Sequence, residues 1–84
     1  MSIHERVRQF IVGNFYVSDP TELADDTSLI EGGYVDSTGM LELIAFLEGE
    51  YEIRIEESET TPSNLETIAQ IAAFIGRKNP KAAA

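Results

Sequence analysis

Three stretches of this chain carry apolar residues at helical spacing, and each leaves one apolar stripe that has to be covered. In the first, Ile3, Val7, Phe10, Ile11 and Phe15 share a face while His4, Glu5, Arg6, Arg8 and Gln9 fill the other. This predicts an amphipathic helix of about four turns, weakened at Gly13-Asn14 and stopped by Ser18-Asp19-Pro20. Phe15-Tyr16-Val17 has strand character, but no partner strand is visible. The second stretch predicts a helix over Thr38 to Tyr51, with Met40, Leu43, Ile44, Leu47 and Tyr51 on one stripe. The third is the inner face Ile68, Ile71, Ala72 and Ile75, opened by a capping box at Thr67-Ile68-Ala69-Gln70 and ended or frayed at Gly76.

The connections are as informative as the helices. Pro20 to Asp36 is a long loop in which Thr21-Glu22-Leu23 is expected to make a helical turn. Leu29, Ile30, Tyr34 and Val35 are expected to tuck over the core. Long loops are uncommon in small domains unless they position something, and this one delivers Ser37. Glu52-Ile53-Arg54-Ile55-Glu56 alternates like a strand without a partner, so it reads as an extended connector with Ile53 and Ile55 facing inward. Thr61-Pro62 pairs a capping residue with proline at the first helical position, which predicts a very short helix to about Leu65. The expectation is an all-α domain over residues 1–78, with three longer helices, one short helix and no cofactor cavity of its own. Residues 79–84 are expected to form a mobile tail.

Composition removes several classes of function. Eighty-four residues make one domain at most, and 43% hydrophobic content is ordinary for a globular one. Six basic residues against 15 acidic give a formal charge of −9, which would repel nucleic acid. The same acidity is compatible with docking to basic protein surfaces, or with solubility alone. No apolar run approaches the length of a bilayer span, and Met1-Ser2-Ile3-His4-Glu5-Arg6 is amphipathic rather than a signal sequence, so cytoplasmic residence is expected. There are no cysteines, so any thiol has to be attached. His4 is the only histidine and reads as a surface residue, which leaves a metal cluster or a catalytic triad little to work with.

Ser37 stands out against this background. In Gly33-Tyr34-Val35-Asp36-Ser37-Thr38-Gly39-Met40, a turn-rich stretch becomes helical, so Asp36 and Ser37 fall at a helix start. Unpaired amides and the positive end of the macrodipole there favour a phosphate. Ser37 has no base to make it a nucleophile, which points to a residue that is modified and not catalytic. Asp25, Asp26, Ser28 and Glu31 fail the spacing of a calcium loop. Along the predicted helix, Leu41 and Ala45 are either core on a wide apolar face or an exposed patch framed by Glu42, Glu48 and Glu50. Gly39 reads either as a helix start with low demands or as a gap that lets a partner or prosthetic group pass close to Ser37.

With Asp36-Ser37 heading a helix after a long loop, and Asn64-Leu65-Glu66-Thr67-Ile68-Ala69-Gln70-Ile71-Ala72-Ala73-Phe74-Ile75 at the end, the chain resembles the acyl carrier and peptidyl carrier protein family over nearly its whole length. The resemblance implies an acyl-carrier-protein-like four-helix bundle in which Ser37 receives 4′-phosphopantetheine from coenzyme A, with Asp36 beside it. The arm's thiol would hold an acyl or aminoacyl group as a thioester. It also implies a monomeric, non-catalytic carrier that meets a phosphopantetheinyl transferase, a loading ligase and a downstream transferase or synthase. Docking would use Thr38, Leu41, Glu42, Ala45 and Glu48. Fatty-acid carriers typically continue Asp-Ser with Leu-Asp or Leu-Glu and have glycine three residues before the serine. Here Thr38-Gly39 follows and Tyr34 takes the glycine position, with Gly33 one earlier. Glycine two after the serine is more similar to D-alanyl and discrete aminoacyl carriers, and the connector before Thr61 is longer than in fatty-acid carriers. These departures point to a specialised pathway. A different class of function, an unmodified acidic adaptor that binds partner helices, explains the acidity and the wide apolar face but not the placement of Ser37. Ala45, Ala69, Ala72 and Ala73 hint at spare room between helices for a cargo.

Overall fold

The computed structural model describes residues 2–83; Met1 and Ala84, the last residue of the expected tail, lie outside the described residues. The fold is an acyl-carrier-protein-like helical bundle of α1 (Ile3–Asn14), α2 (Ser37–Tyr51), α3 (Pro62–Leu65) and α4 (Ile68–Lys78), with no strand among the described residues. Single 3-10 turns at Pro20–Glu22, Glu57–Glu59 and Pro80–Ala83 punctuate the connections.

Three of the four α-helices begin where a side chain satisfies a free amide. Ser2 Oγ accepts from the Glu5 N–H at 3.1 Å and starts α1. That helix has 12 residues, a little short of the expected length, because Phe15 turns extended after donating its N–H to the Ile11 carbonyl. Asp36 caps α2, which therefore starts one residue earlier than the period alone predicts. Pro62 opens α3 as expected, but Thr61 does not cap it: its hydroxyl pairs with Ser63 Oγ at 2.9 Å. Thr67 Oγ1 caps α4 through the Gln70 N–H at 3.1 Å. The expected box stays half-made, since Gln70 Oε1 is buried without a hydrogen-bond partner.

The three stripes meet in one core. Ile3, Val7 and Ile11 of α1 close on Leu43 and Leu47 of α2 and on Ile68, Ile71, Ala72, Phe74 and Ile75 of α4. Leu65 seals the α3 side, and Ile55 from the connector is buried while Ile53 is half-buried. A fully buried aliphatic side chain contributes roughly 1.5–3 kcal/mol, so this shared core is what holds such short helices.

The long loop is stapled at both edges. Arg8 Nε donates to the Leu23 carbonyl at 3.3 Å, and its guanidinium also pairs with Asp25. Leu29 N–H reaches the Glu66 carbonyl and Ala69 N–H the Asp25 carbonyl, both at 2.9 Å. Leu23, Leu29 and Val35 are buried beneath these bonds. Gly33 takes φ +78°, a conformation that favours glycine, and so reverses the chain ahead of Val35. Ile30 does not tuck in as expected: it is 48% exposed. After α4, Asn79 Nδ2 donates to the Tyr51 carbonyl at 2.8 Å, and Ala82 packs half-buried against the core.

Candidate functional site

The loop and α2 meet at Asp36-Ser37. Asp36 is extended, and its Oδ1 accepts the Gly39 N–H at 2.6 Å, a short charge-assisted bond. Asp36 O receives the Met40 N–H at 2.8 Å, closing the first helical turn. Ser37 and Thr38 follow the cap and are exposed, and first-turn amides there lack intrahelical carbonyls. Ser37 thus stands in the positive end of the helix field, on a backbone fixed by its neighbours.

Beside it opens a cleft of about 520 Å³. Met40, Leu41 and Ile44 of α2 form one wall, Pro62 and Leu65 of α3 the other, and Ile30 of the loop joins them. Ser37, Thr60 and Thr61 add hydroxyls, and Glu31 and Glu66 add carboxylates. The cleft is an open surface recess beside Ser37 and not an enclosed cofactor cavity. Met40 and Ile44 do not belong wholly to the core stripe: both are half-buried and line the cleft. The alanines thought to leave room line none of it. Ala72 is buried, Ala45 and Ala73 are exposed, and the space lies between larger side chains at the α2–α3 edge. The sequence signal available was the breadth of the apolar arc on α2 combined with a third helix too short to cover it.

The edge beyond Leu65 is tied to the end of α4. Lys78 Nζ bonds both oxygens of Glu59, at 2.8 and 3.1 Å, and Arg77 reaches Asn64 Oδ1 at 2.9 Å. The Lys78 ammonium, with the Glu56 N–H, holds the Glu59 carboxyl below the ordinary carboxylate range.

The expected docking residues separate into two groups. Thr38, Leu41, Glu42 and Ala45 are all exposed on α2, Leu41 to 68%, so Leu41 and Ala45 are not core. Glu48 is half-buried, and its Oε2 accepts the Ile55 N–H at 2.9 Å. Its carboxylate braces the connector. Gly39 faces inward. A Cβ there would lie 2.7 Å from Phe15 Cε1, 3.1 Å from Asp36 Oδ1 and 3.3 Å from Val35 Cγ1, so the missing side chain makes room for Phe15 and not for a group passing Ser37. Sequence reading placed Phe15 on the core stripe without this role.

The site is thus a capped helix headed by an exposed serine, in a helical bundle open on one apolar edge. No family model matches the chain. It is similar to an acyl carrier protein of Bdellovibrio bacteriovorus, 28% identical over 78 residues that cover 93% of this chain and 96% of that protein. It is also similar to an acyl carrier protein of Brachyspira hyodysenteriae, 25% identical over 75 residues, 89% of this chain and 94% of the relative. Both likenesses run over nearly the whole length of this chain and of the relatives.

Proposed function

We propose that Ser37 carries 4′-phosphopantetheine and that the chain presents an acyl or aminoacyl group, held as a thioester on that arm, to partner enzymes. The observation that carries this reading is the exposed Ser37 at the Asp36-capped head of α2, opening on the apolar cleft. The site suits the group: the serine is accessible, helix-terminal amides favour a phosphodiester, and an apolar recess begins at its side. The group, when attached, supplies the thiol that a chain without cysteine lacks.

Attachment is the work of a phosphopantetheinyl transferase using magnesium and coenzyme A. Ser37 Oγ attacks the pyrophosphate phosphorus that bears the pantetheine, the P–O–P bond breaks, and 3′,5′-adenosine diphosphate leaves. The serine proton passes to a base of the transferase, as no base accompanies Ser37. This chain lowers no chemical barrier and is a substrate and carrier, not an enzyme. Thr38, Leu41, Glu42 and Ala45 form the surface offered to the transferase, to the loading ligase and to the downstream transferase or synthase. Opposite charge on those partners would speed encounter, and the small apolar contacts would select among them. The Thr38-Gly39 sequence after Ser37 favours a specialised pathway over housekeeping fatty-acid synthesis, with the carrier acting as a cytoplasmic monomer.

The test is intact mass after incubation with coenzyme A, magnesium and a broad-specificity transferase, beside Ser37→Ala. A gain of one phosphopantetheine, with one new titratable thiol, on the unaltered chain alone is the expected result. No gain beside a carrier that is modified in the same reaction would sink the reading and favour an adaptor.

A further inference from the structure

The seam between α1 and α2 is aromatic, and it ends at the carrier site. The helices run antiparallel there. Arg6 pairs with Glu50 at 3.2 Å and lies 4.9 Å from the centre of the Phe46 ring. Phe10 stacks on Phe46 with centroids 4.1 Å apart and planes 13° off parallel. Phe15 meets Phe10 edge-on, at 6.0 Å and 76°, and its own edge abuts Gly39 in the first turn of α2. The Phe15 ring is therefore held from behind by a stacked pair, which is itself closed by a cation.

Three groups crowd the position that a Cβ would take at Gly39: the Phe15 ring, the Asp36 cap oxygen and the Val35 side chain, which is buried in the core. The same glycine donates the capping hydrogen bond to Asp36. Ser37 lies between the cap and the glycine, two residues before it in sequence. Glycine is one of the weakest helix formers, so its presence in a first turn calls for a compensating contact. Phe15 is that contact.

We propose that Phe15 is a positioning residue for the attachment reaction: its ring, seated in the gap at Gly39, locks the first turn of α2 and so fixes how Ser37 Oγ is presented to the transferase. This rests on the reading of Ser37 as the attachment site. Adding a methyl group at 39 forces the turn off the ring and takes the Asp36 cap and Ser37 with it. Shortening the ring gives the methyl group somewhere to go.

The experiment compares the full chain, Gly39→Ala, Phe15→Leu and the double variant. Each is first checked for helicity and thermal melting, then assayed for transfer from coenzyme A over a range of carrier concentrations. Gly39→Ala is expected to lower kcat by about 10-fold or more at nearly unchanged KM, the signature of a displaced nucleophile. In the double variant kcat should return to within about 3-fold of Phe15→Leu alone, because contacting residues are coupled. Helix propensity alone predicts the opposite, since alanine strengthens the turn. Modification of Gly39→Ala at the unaltered rate, or an equal loss with and without the Phe15 ring, overturns the proposal. If Gly39→Ala does not fold, Phe15→Leu must by itself lower kcat, and an unchanged kcat overturns the proposal. If the unaltered chain takes no group at all, the attachment reading fails on its own. The lock is then judged by amide exchange at residue 39, expected to be faster in Gly39→Ala and restored in the double variant; equal exchange in all three overturns it.

Discussion

Asp36 combines two roles that substitution can separate. Its Oδ1 bonds the Gly39 N–H at 2.6 Å, and its charge sits at the positive end of α2. Replacing an N-cap by alanine costs roughly 0.5–2 kcal/mol. A short, half-buried bond to a charged acceptor belongs near the top of that range. Loss of the charge–dipole interaction alone costs about 0.3–1 kcal/mol. Asp36→Ala should therefore lose about 1.5–2 kcal/mol, while Asp36→Asn, which keeps an acceptor, should lose about 0.5 kcal/mol. For a domain of this size 1 kcal/mol moves Tm by about 4–8 °C, so melting should fall by about 6–16 °C for alanine and about 2–4 °C for asparagine. Removing one charge from a chain of −9 gives back a little repulsion, which is small at physiological salt, where screening acts within about 8 Å. Urea denaturation with an unchanged m-value is the measure of choice. Alanine within about 0.3 kcal/mol of the unaltered chain, or asparagine as damaging as alanine, would refute the assignment of Asp36 as cap.

Three further substitutions address the groups around the site. Glu48→Ala should leave the Ile55 N–H without its acceptor and cost about 1–3 kcal/mol in urea denaturation, with Glu48→Gln recovering most of it; equal losses would mean that the bond is not what matters. For Lys78→Met the sign follows from Glu59, whose carboxyl is held below its ordinary value by the Lys78 bond. That stabilisation is full above the ordinary carboxylate pKa and is lost as pH falls through the depressed one, so the gap between the two proteins should be widest at neutral pH and close in acid. Carboxyl titration followed by NMR should show Glu59 rising in the variant, and an unmoved Glu59 would contradict the pairing. Glu42→Lys should slow phosphopantetheine transfer most at low salt, where charges act over about 30 Å instead of about 10 Å; a slowing that stays constant across the salt series would exclude electrostatic docking there.

What was legible in the sequence was local. The Asp36 cap, the Pro62 start and the three apolar stripes all follow from spacing within one or two turns, and the structure places them accordingly, except that Met40 and Ile44 of the second stripe line the cleft. What escaped depends on elements far apart in the chain. Glu48 has the same periodicity as a docking residue, and only the return of the connector past α2 brings Ile55 N–H to its carboxylate. Gly39 has the local signature of a low-demand helix start, and only the course of Phe15 at the end of α1 gives it an inward purpose. Ile30 is apolar in a loop that is otherwise stapled down, yet it remains exposed because Leu29 beside it already fills the core and donates to Glu66.

The cleft shows the same limit more sharply, because it arises from a mismatch in length. α2 runs for 15 residues with an apolar arc wider than its core contacts need, and α3 opposite it has only four. A four-residue helix cannot hold itself in water, where nucleation outweighs the few bonds it makes. Its place is set from outside, by buried Leu65, by the Arg77–Asn64 bond and by the Lys78–Glu59 pair just before it. On the other side of Ser37, the Phe10–Phe46 stack and the Phe15–Gly39 contact fix α2 through packed rings. The serine thus stands between two walls, one made by the ring contacts of Phe10, Phe46 and Phe15 and the other by α3, which Leu65 and the side-chain bonds to the end of α4 hold in place.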